Sequence, residues 1–113
     1  CLYDFNEDIG DWDMSNATSL SWMFHGAYSV NQDLSKWDTS QVTDMRGMFC
    51  MAYSFNGNIS SWDTSQVTNM NHMFYAALSF QQDLSSWRVE NVEERYEMFY
   101  GATAFDDESS PLF

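Results

Sequence analysis

Phe55-Asn56-Gly57-Asn58-Ile59-Ser60-Ser61-Trp62-Asp63-Thr64-Ser65-Gln66-Val67-Thr68-Asn69-Met70-Asn71-His72-Met73-Phe74-Tyr75-Ala76-Ala77-Leu78-Ser79 is one full period of a pattern that runs through the whole 113-residue chain. Laid over the preceding period, 30–54, it is identical at 14 of 25 positions. Trp62 belongs to the series Trp12, Trp37, Trp62 and Trp87; Met73-Phe74 belongs to Met23-Phe24, Met48-Phe49 and Met98-Phe99. The same step relates Ala27, Ala52, Ala77 and Ala102, then Ile9, Leu34, Ile59 and Leu84, then Phe5, Val30, Phe55, Phe80 and Phe105. Five apolar columns in register over four periods define a repeat, and a period of 25 lies in the leucine-rich-repeat range. One period cannot bury its own apolar face, so neighbours are needed and like columns pack on themselves. Ladders of Trp on Trp and Phe on Phe are expected, about 4.8 Å apart where strands pair.

Within a period, Val42, Met45, Met48, Phe49 and Ala52 are spaced three and four apart, which predicts a short helix near 44–52 with Ser40 or Thr43 at its N-cap. The segment Leu34-Ser35-Lys36-Trp37-Asp38 reads as a short strand, with the following Asp-Thr-Ser as a turn. The Leu34-to-Trp37 spacing of three does not alternate, so a bulge or corner is required there. The expected fold is an α/β solenoid, leucine-rich-repeat-like, with one short strand and one short helix per turn.

The organisation expected is a single repeat domain over 1–113: a partial turn 1–4, turns 5–29, 30–54, 55–79 and 80–104, and an exit or capping segment 105–113. Cys1 to Phe5 aligns with 26–30, so the chain begins inside a turn, the pattern of a fragment or of an open end that docks on another copy. Head-to-tail docking of that kind gives a filament when it does not close. The last turn is more charged, with Arg88, Glu90, Glu93, Glu94 and Arg95, as the end of a stack requires.

Lys and Arg number 4 against 17 Asp and Glu, a formal charge of −13. Without a basic patch, nucleic acid and anionic membrane are poor partners. No apolar run approaches the ~18 residues of a membrane span.

The motif Phe55-Asn56…Ile59-Ser60…Trp62-Asp63-Thr64-Ser65…Val67-Thr68…Met70…Met73-Phe74…Ala77 resembles the BspA-like leucine-rich-repeat surface proteins, a Mycoplasma-type surface repeat of unknown function, over the whole chain. The resemblance implies a secreted or cell-surface module engaged in adhesion and protein binding, with no catalytic residue to carry over. Ala17 and Met14, where the motif has Val and Thr, depart from it.

Asp13, Asp38 and Asp63 form one acidic column; Asp8, Asp33 and Asp83, with Asn58, form another. Unit charges 5 Å apart in water repel by roughly 0.8 kcal/mol. Either hydrogen bonds to turn N–H groups or a bound Ca²⁺ would relieve this; turn capping is the plainer reading, because the spacing lacks the oxygen cluster of a calcium loop. Thr39 and Thr64, and Thr18, Thr43 and Thr68, form rows that suit turn bonding or, less readily, ice binding. Asn16-Ala17-Thr18 and Asn58-Ile59-Ser60 match the N-glycosylation sequon. Cys1 and Cys50 lie two turns, about 10 Å, apart, beyond the roughly 7 Å reach of a disulfide.

His25, Cys50, Tyr75 and Tyr100 share one phase and are the expected protein-contact residues. No Ser/His/Asp set, phosphate loop or metal-spaced Cys/His cluster stands out, and the Met column reads as core filler. The expected function is therefore non-enzymatic: a structural or adhesive surface module that contacts other proteins or copies of itself.

Overall fold

Each 25-residue unit is a string of tight turns. In the second unit, Trp37 N–H bonds Leu34 C=O, Val42 bonds Thr39, Met48 bonds Met45, Cys50 bonds Gly47 and Ala52 bonds Phe49, all reaching back three residues at 2.9–3.3 Å. These are β-turn closures. Two of them carry a left-handed residue at their third position, Gly47 at φ 60° and Met51 at φ 59°, as a type II turn demands. The same two phases are left-handed elsewhere, at Trp22, His72 and Glu97, and at Gly26, Ala76 and Gly101. An α-helix needs an unbroken run of negative φ, and a left-handed residue every fourth position forbids it. The structure, a computed structural model, describes residues 2–113.

The expected α/β solenoid of leucine-rich-repeat type is thereby overturned. Among the described residues the one helical element is a 3₁₀ turn over Asp107–Ser109, and strand pairing is limited to three isolated parallel bridges, Ser19 to Asp44, Asp44 to Asn69 and Asn69 to Glu94, with no sheet. The body is compact, 35 × 31 × 20 Å. The expected helix near 44–52 is a run of three overlapping turns. Val42, Met45, Met48, Phe49 and Ala52 are all buried, because turns that each reach back three residues bring the same edge inward as a helix would. The expected strand at 34–38 is the Leu34–Trp37 turn, and its spacing of three is the turn's own length.

The 25-residue register survives in the hydrogen bonds. The N–H groups of Leu20, Trp22, Phe24 and Gly26 donate to the carbonyls of Asp44, Arg46, Met48 and Cys50, each at 2.9 Å. Met45, Gly47, Phe49 and Met51 repeat this onto the third unit, and Met70, His72, Phe74 and Ala76 onto the fourth. Alternate N–H groups thus bond across units while those between close turns within one, which satisfies the backbone without a sheet.

The core is aromatic. Phe24, Phe49, Phe74 and Phe99 stack at 5.4–5.6 Å between ring centroids, and Trp37, Trp62 and Trp87 at 6.2–6.4 Å. The spacing exceeds the expected 4.8 Å because the rings are offset, the favoured arrangement. Each buried indole donates one unit back, Trp37 to Ile9 C=O, Trp62 to Leu34 and Trp87 to Ile59, at 2.9–3.0 Å. A second ladder runs on the surface: Asn6, Asn31 and Asn56 each accept, through Oδ1, the N–H of the residue 25 positions on. At the far end Phe105 stacks on Phe80, and Leu84 N–H bonds Ser109 C=O, so residues 105–109 keep the register over 80–84.

Candidate functional site: an aromatic face in an acidic body

The left-handed turns throw side chains outward on one flank. At phase 22, Trp22 stacks on His72 across Gly47, with centroids 6.4 Å apart. A Cβ on Gly47 would collide with the Trp22 indole, so glycine there is what lets the two rings meet. His72 Nε2 lies 3.3 Å from Glu97 Oε1, and the Tyr75 and Tyr96 rings stand edge-on to the imidazole. At phase 25, His25 packs against Trp22, and Tyr75 stacks on Tyr100 at 5.4 Å. At phase 28, Tyr3, Tyr28 and Tyr53 form a ladder at 4.5–4.7 Å that continues to the exposed Leu78. A groove of about 550 Å³ opens among Leu2, Tyr3, Trp22, His25, Tyr28 and Met51.

Charge sets this flank apart. Residues 20–28, 45–53, 70–78 and 95–103 carry Arg46, Arg95 and Glu97, a formal +1. The rest of the chain carries sixteen Asp and Glu against Lys36 and Arg88, a formal −14. Such a sparsely charged aromatic patch within a charged surface is the composition of a contact site. Its making has a cost: Trp22, Met51, His72, Ala76 and Glu97 sit in a conformation that disfavours side chains by about 1–2 kcal/mol each. Strain of this kind concentrates where a protein functions.

Of the expected contact group, His25 and Tyr100 are exposed on this face and Tyr75 is half-buried there. Cys50 is buried, its thiol pushed up by desolvation, so it stands behind the surface. Trp22, Tyr28, Tyr53, His72 and Tyr96 were not expected. The scarcity of acids at these phases, Glu97 alone, was countable and could have found them. Cys1 and its relation to Cys50 lie outside the described residues.

The acidic columns lie on other sides. Asp13, Asp38 and Asp63 each accept, through Oδ1, the backbone N–H of the serine two residues on at 3.0 Å; Asp33, Asn58 and Asp83 do the same at 2.9–3.0 Å. These bonds, with the serine hydroxyls, hold Asp13, Asp33, Asp38, Asp63 and Asp83 below the usual carboxylate range. Among the described residues no group of three or more His, Cys, Asp or Glu is placed to hold a metal ion. Thr39 and Thr64 are buried and donate to Asp63 and Arg88 carbonyls, while Thr43 and Thr68 donate to the Thr18 and Thr43 carbonyls. Asn16 and Asn58 are exposed, and Ser60 Oγ lies 2.7 Å from Asn58 Oδ1. Among the described residues no helix is long and apolar enough to cross a membrane.

These features define a repeat protein of stacked turns with one aromatic flank. The chain belongs to the family described as Mycoplasma protein of unknown function, DUF285, whose model matches residues 2–111. No curated protein and no solved structure matches the chain.

Proposed function

We propose that this chain is a structural or adhesive module of a secreted or cell-surface protein, and that it makes protein–protein contact through the aromatic flank. The supporting observation is strain at the surface: five left-handed positions on the flank carry side chains, Trp22 exposed and Met51, His72, Ala76 and Glu97 half-buried, where acids are otherwise few. Exposed Trp and Tyr supply large contact area at low entropic cost and dominate interface energetics. The finer kinship, with the BspA-like surface proteins, belongs to the same reading and rests on the Trp-Asp-Thr-Ser and Met-Phe motifs. Asn16 and Asn58 stand clear of the flank phases, so glycans there would leave it open. No step of catalysis is assigned to any residue.

The test is retention of beads coated with the purified chain on surfaces bearing fibronectin, laminin or collagen. Wild-type retention that falls at least tenfold in Tyr96→Glu/Tyr100→Glu supports the reading. Retention unchanged by that pair, or none on any surface, overturns it.

A further inference from the structure

We infer that the flank also pairs with itself: two copies associate side by side, aromatic flank to aromatic flank, about a two-fold axis. The inference rests on the reading of the flank as a contact surface and adds the partner, a second copy of this chain.

Charge selects the geometry. Outside the flank the chain carries a formal −14, so most approaches of two copies oppose like charges, whereas flank against flank brings together surfaces of formal +1. The four cationic side chains are each engaged within the chain: Lys36 with Asp11, Arg46 with Asp44, Arg88 with Glu90, and Arg95 over the Phe113 ring.

The flank is suited to an isologous contact, in which the same patch serves both partners. Its two ends carry the most exposed rings, Tyr3 at 51% and Trp22 at 43% at one and Tyr96 and Tyr100 at 67% and 62% at the other. An antiparallel pairing sets each end against the opposite end of the second copy and leaves the half-buried Tyr53 and Tyr75 near the axis. The four units stack along the short dimension of the 35 × 31 × 20 Å body, so a side offers on the order of 600–700 Å², close to the low end of the ~800 Å² per partner of a standard interface. The acidic surround still repels across the rim, so association strengthens as salt shortens the Debye length from ~30 Å at 0.01 M to a few Å near 1 M.

Sedimentation equilibrium of the whole chain at 10 mM and 500 mM NaCl decides it. The expected result is a mass near 13.2 kDa at low salt that doubles at high salt, with the dimer constant at least tenfold weaker in Tyr96→Glu/Tyr100→Glu. A milder pair, Tyr96→Ser/Tyr100→Ser, weakens it as well and guards against a folding defect. A monomer at both salts up to millimolar concentration overturns the inference, as does a dimer indifferent to both pairs. If the chain stays monomeric while bead retention still depends on Tyr96 and Tyr100, the contact reading stands and only the self-pairing is lost.

Discussion

The indole N–H of Trp62 donates to the carbonyl of Leu34, 28 residues earlier and one unit back, at 2.9 Å. Trp62 is otherwise sealed between Trp37 and Trp87, so this bond is made in the core, and it fixes where one unit sits on the last. A phenyl ring at this position fills most of the space but removes the indole donor, leaving the Leu34 carbonyl with the Trp37 backbone N–H alone. Loss of such a bond costs about 0.5–1.5 kcal/mol, and the smaller ring gives up further buried area. Trp62→Phe is therefore expected to lower unfolding free energy by about 2–3 kcal/mol in urea. Trp12 occupies the same phase but is half exposed, and Trp12→Phe is expected to stay within about 0.5 kcal/mol. Equal losses at the two positions would mean that the cross-unit bond is not what matters.

Left-handed backbone gives a prediction with opposite signs at adjacent residues. Ala76 holds φ 54°, where a Cβ costs about 1–2 kcal/mol, while glycine in the unfolded chain gains back about 0.5–1 kcal/mol of entropy. Ala76→Gly should thus raise stability by about 0.5 kcal/mol. Ala77, one step on and buried, has no such strain, and Ala77→Gly should lower stability by about 1 kcal/mol or more. Gly101→Ala, at φ 76°, should also destabilise. Thermal melts of the three variants suffice; a loss in Ala76→Gly as large as in Ala77→Gly would contradict the turn assignment.

Gly47 and Trp22 should be energetically coupled. A methyl group on Gly47 meets the Trp22 indole as well as paying the left-handed strain. Gly47→Ala is expected to cost about 2 kcal/mol alone but only about 1 kcal/mol in a Trp22→Ala background, where the strain remains and the collision is gone. A double-mutant cycle in guanidinium measures the difference. Strict additivity would show that the indole does not lie over Gly47.

The period was legible in the sequence because the buried residues repeat in kind: Trp37, Trp62 and Trp87 read identically and stack in space. The backbone between them was not. Turns that each reach back three residues put Val42, Met45, Met48 and Phe49 on one edge, and that spacing is also helical. The signal that separates the two is glycine at left-handed positions, and here it is scrambled: phase 22 reads Trp, Gly, His, Glu and phase 26 reads Gly, Met, Ala, Gly. Hydrogen bonds across units hold non-glycine residues in that conformation, as at Trp22 to Arg46 and His72 to Tyr96, and such tertiary enforcement leaves no local mark. The aromatic flank was half legible for the same reason. His25, Tyr75 and Tyr100 share a phase, but Trp22 and His72 meet only because Gly47 lies between them.

The aspartate columns set the response to acid. Hydrogen bonds from Ser35, Ser40, Ser65 and Ser85 favour the ionised forms of Asp33, Asp38, Asp63 and Asp83 in the folded chain. Their folded pKa values lie below those of the unfolded chain, so the stabilisation is complete above about pH 3.9, the ordinary aspartate value, and is lost as pH falls through the lowered folded values. Asn58 shows that a neutral amide fills the same place, accepting Ser60 N–H at 3.0 Å. The quadruple change Asp33→Asn, Asp38→Asn, Asp63→Asn and Asp83→Asn keeps every acceptor and removes these four titrations. Its melting temperature should match or exceed the wild type at pH 7, because four repelling charges are gone, and should fall less steeply between pH 4 and pH 2.5. Replacing the same four by Ala deletes the acceptors and should lower the melting temperature at pH 7. If the Asn and Ala sets melted alike at pH 7, the turn bonds would contribute nothing, and the acidic columns would need another explanation.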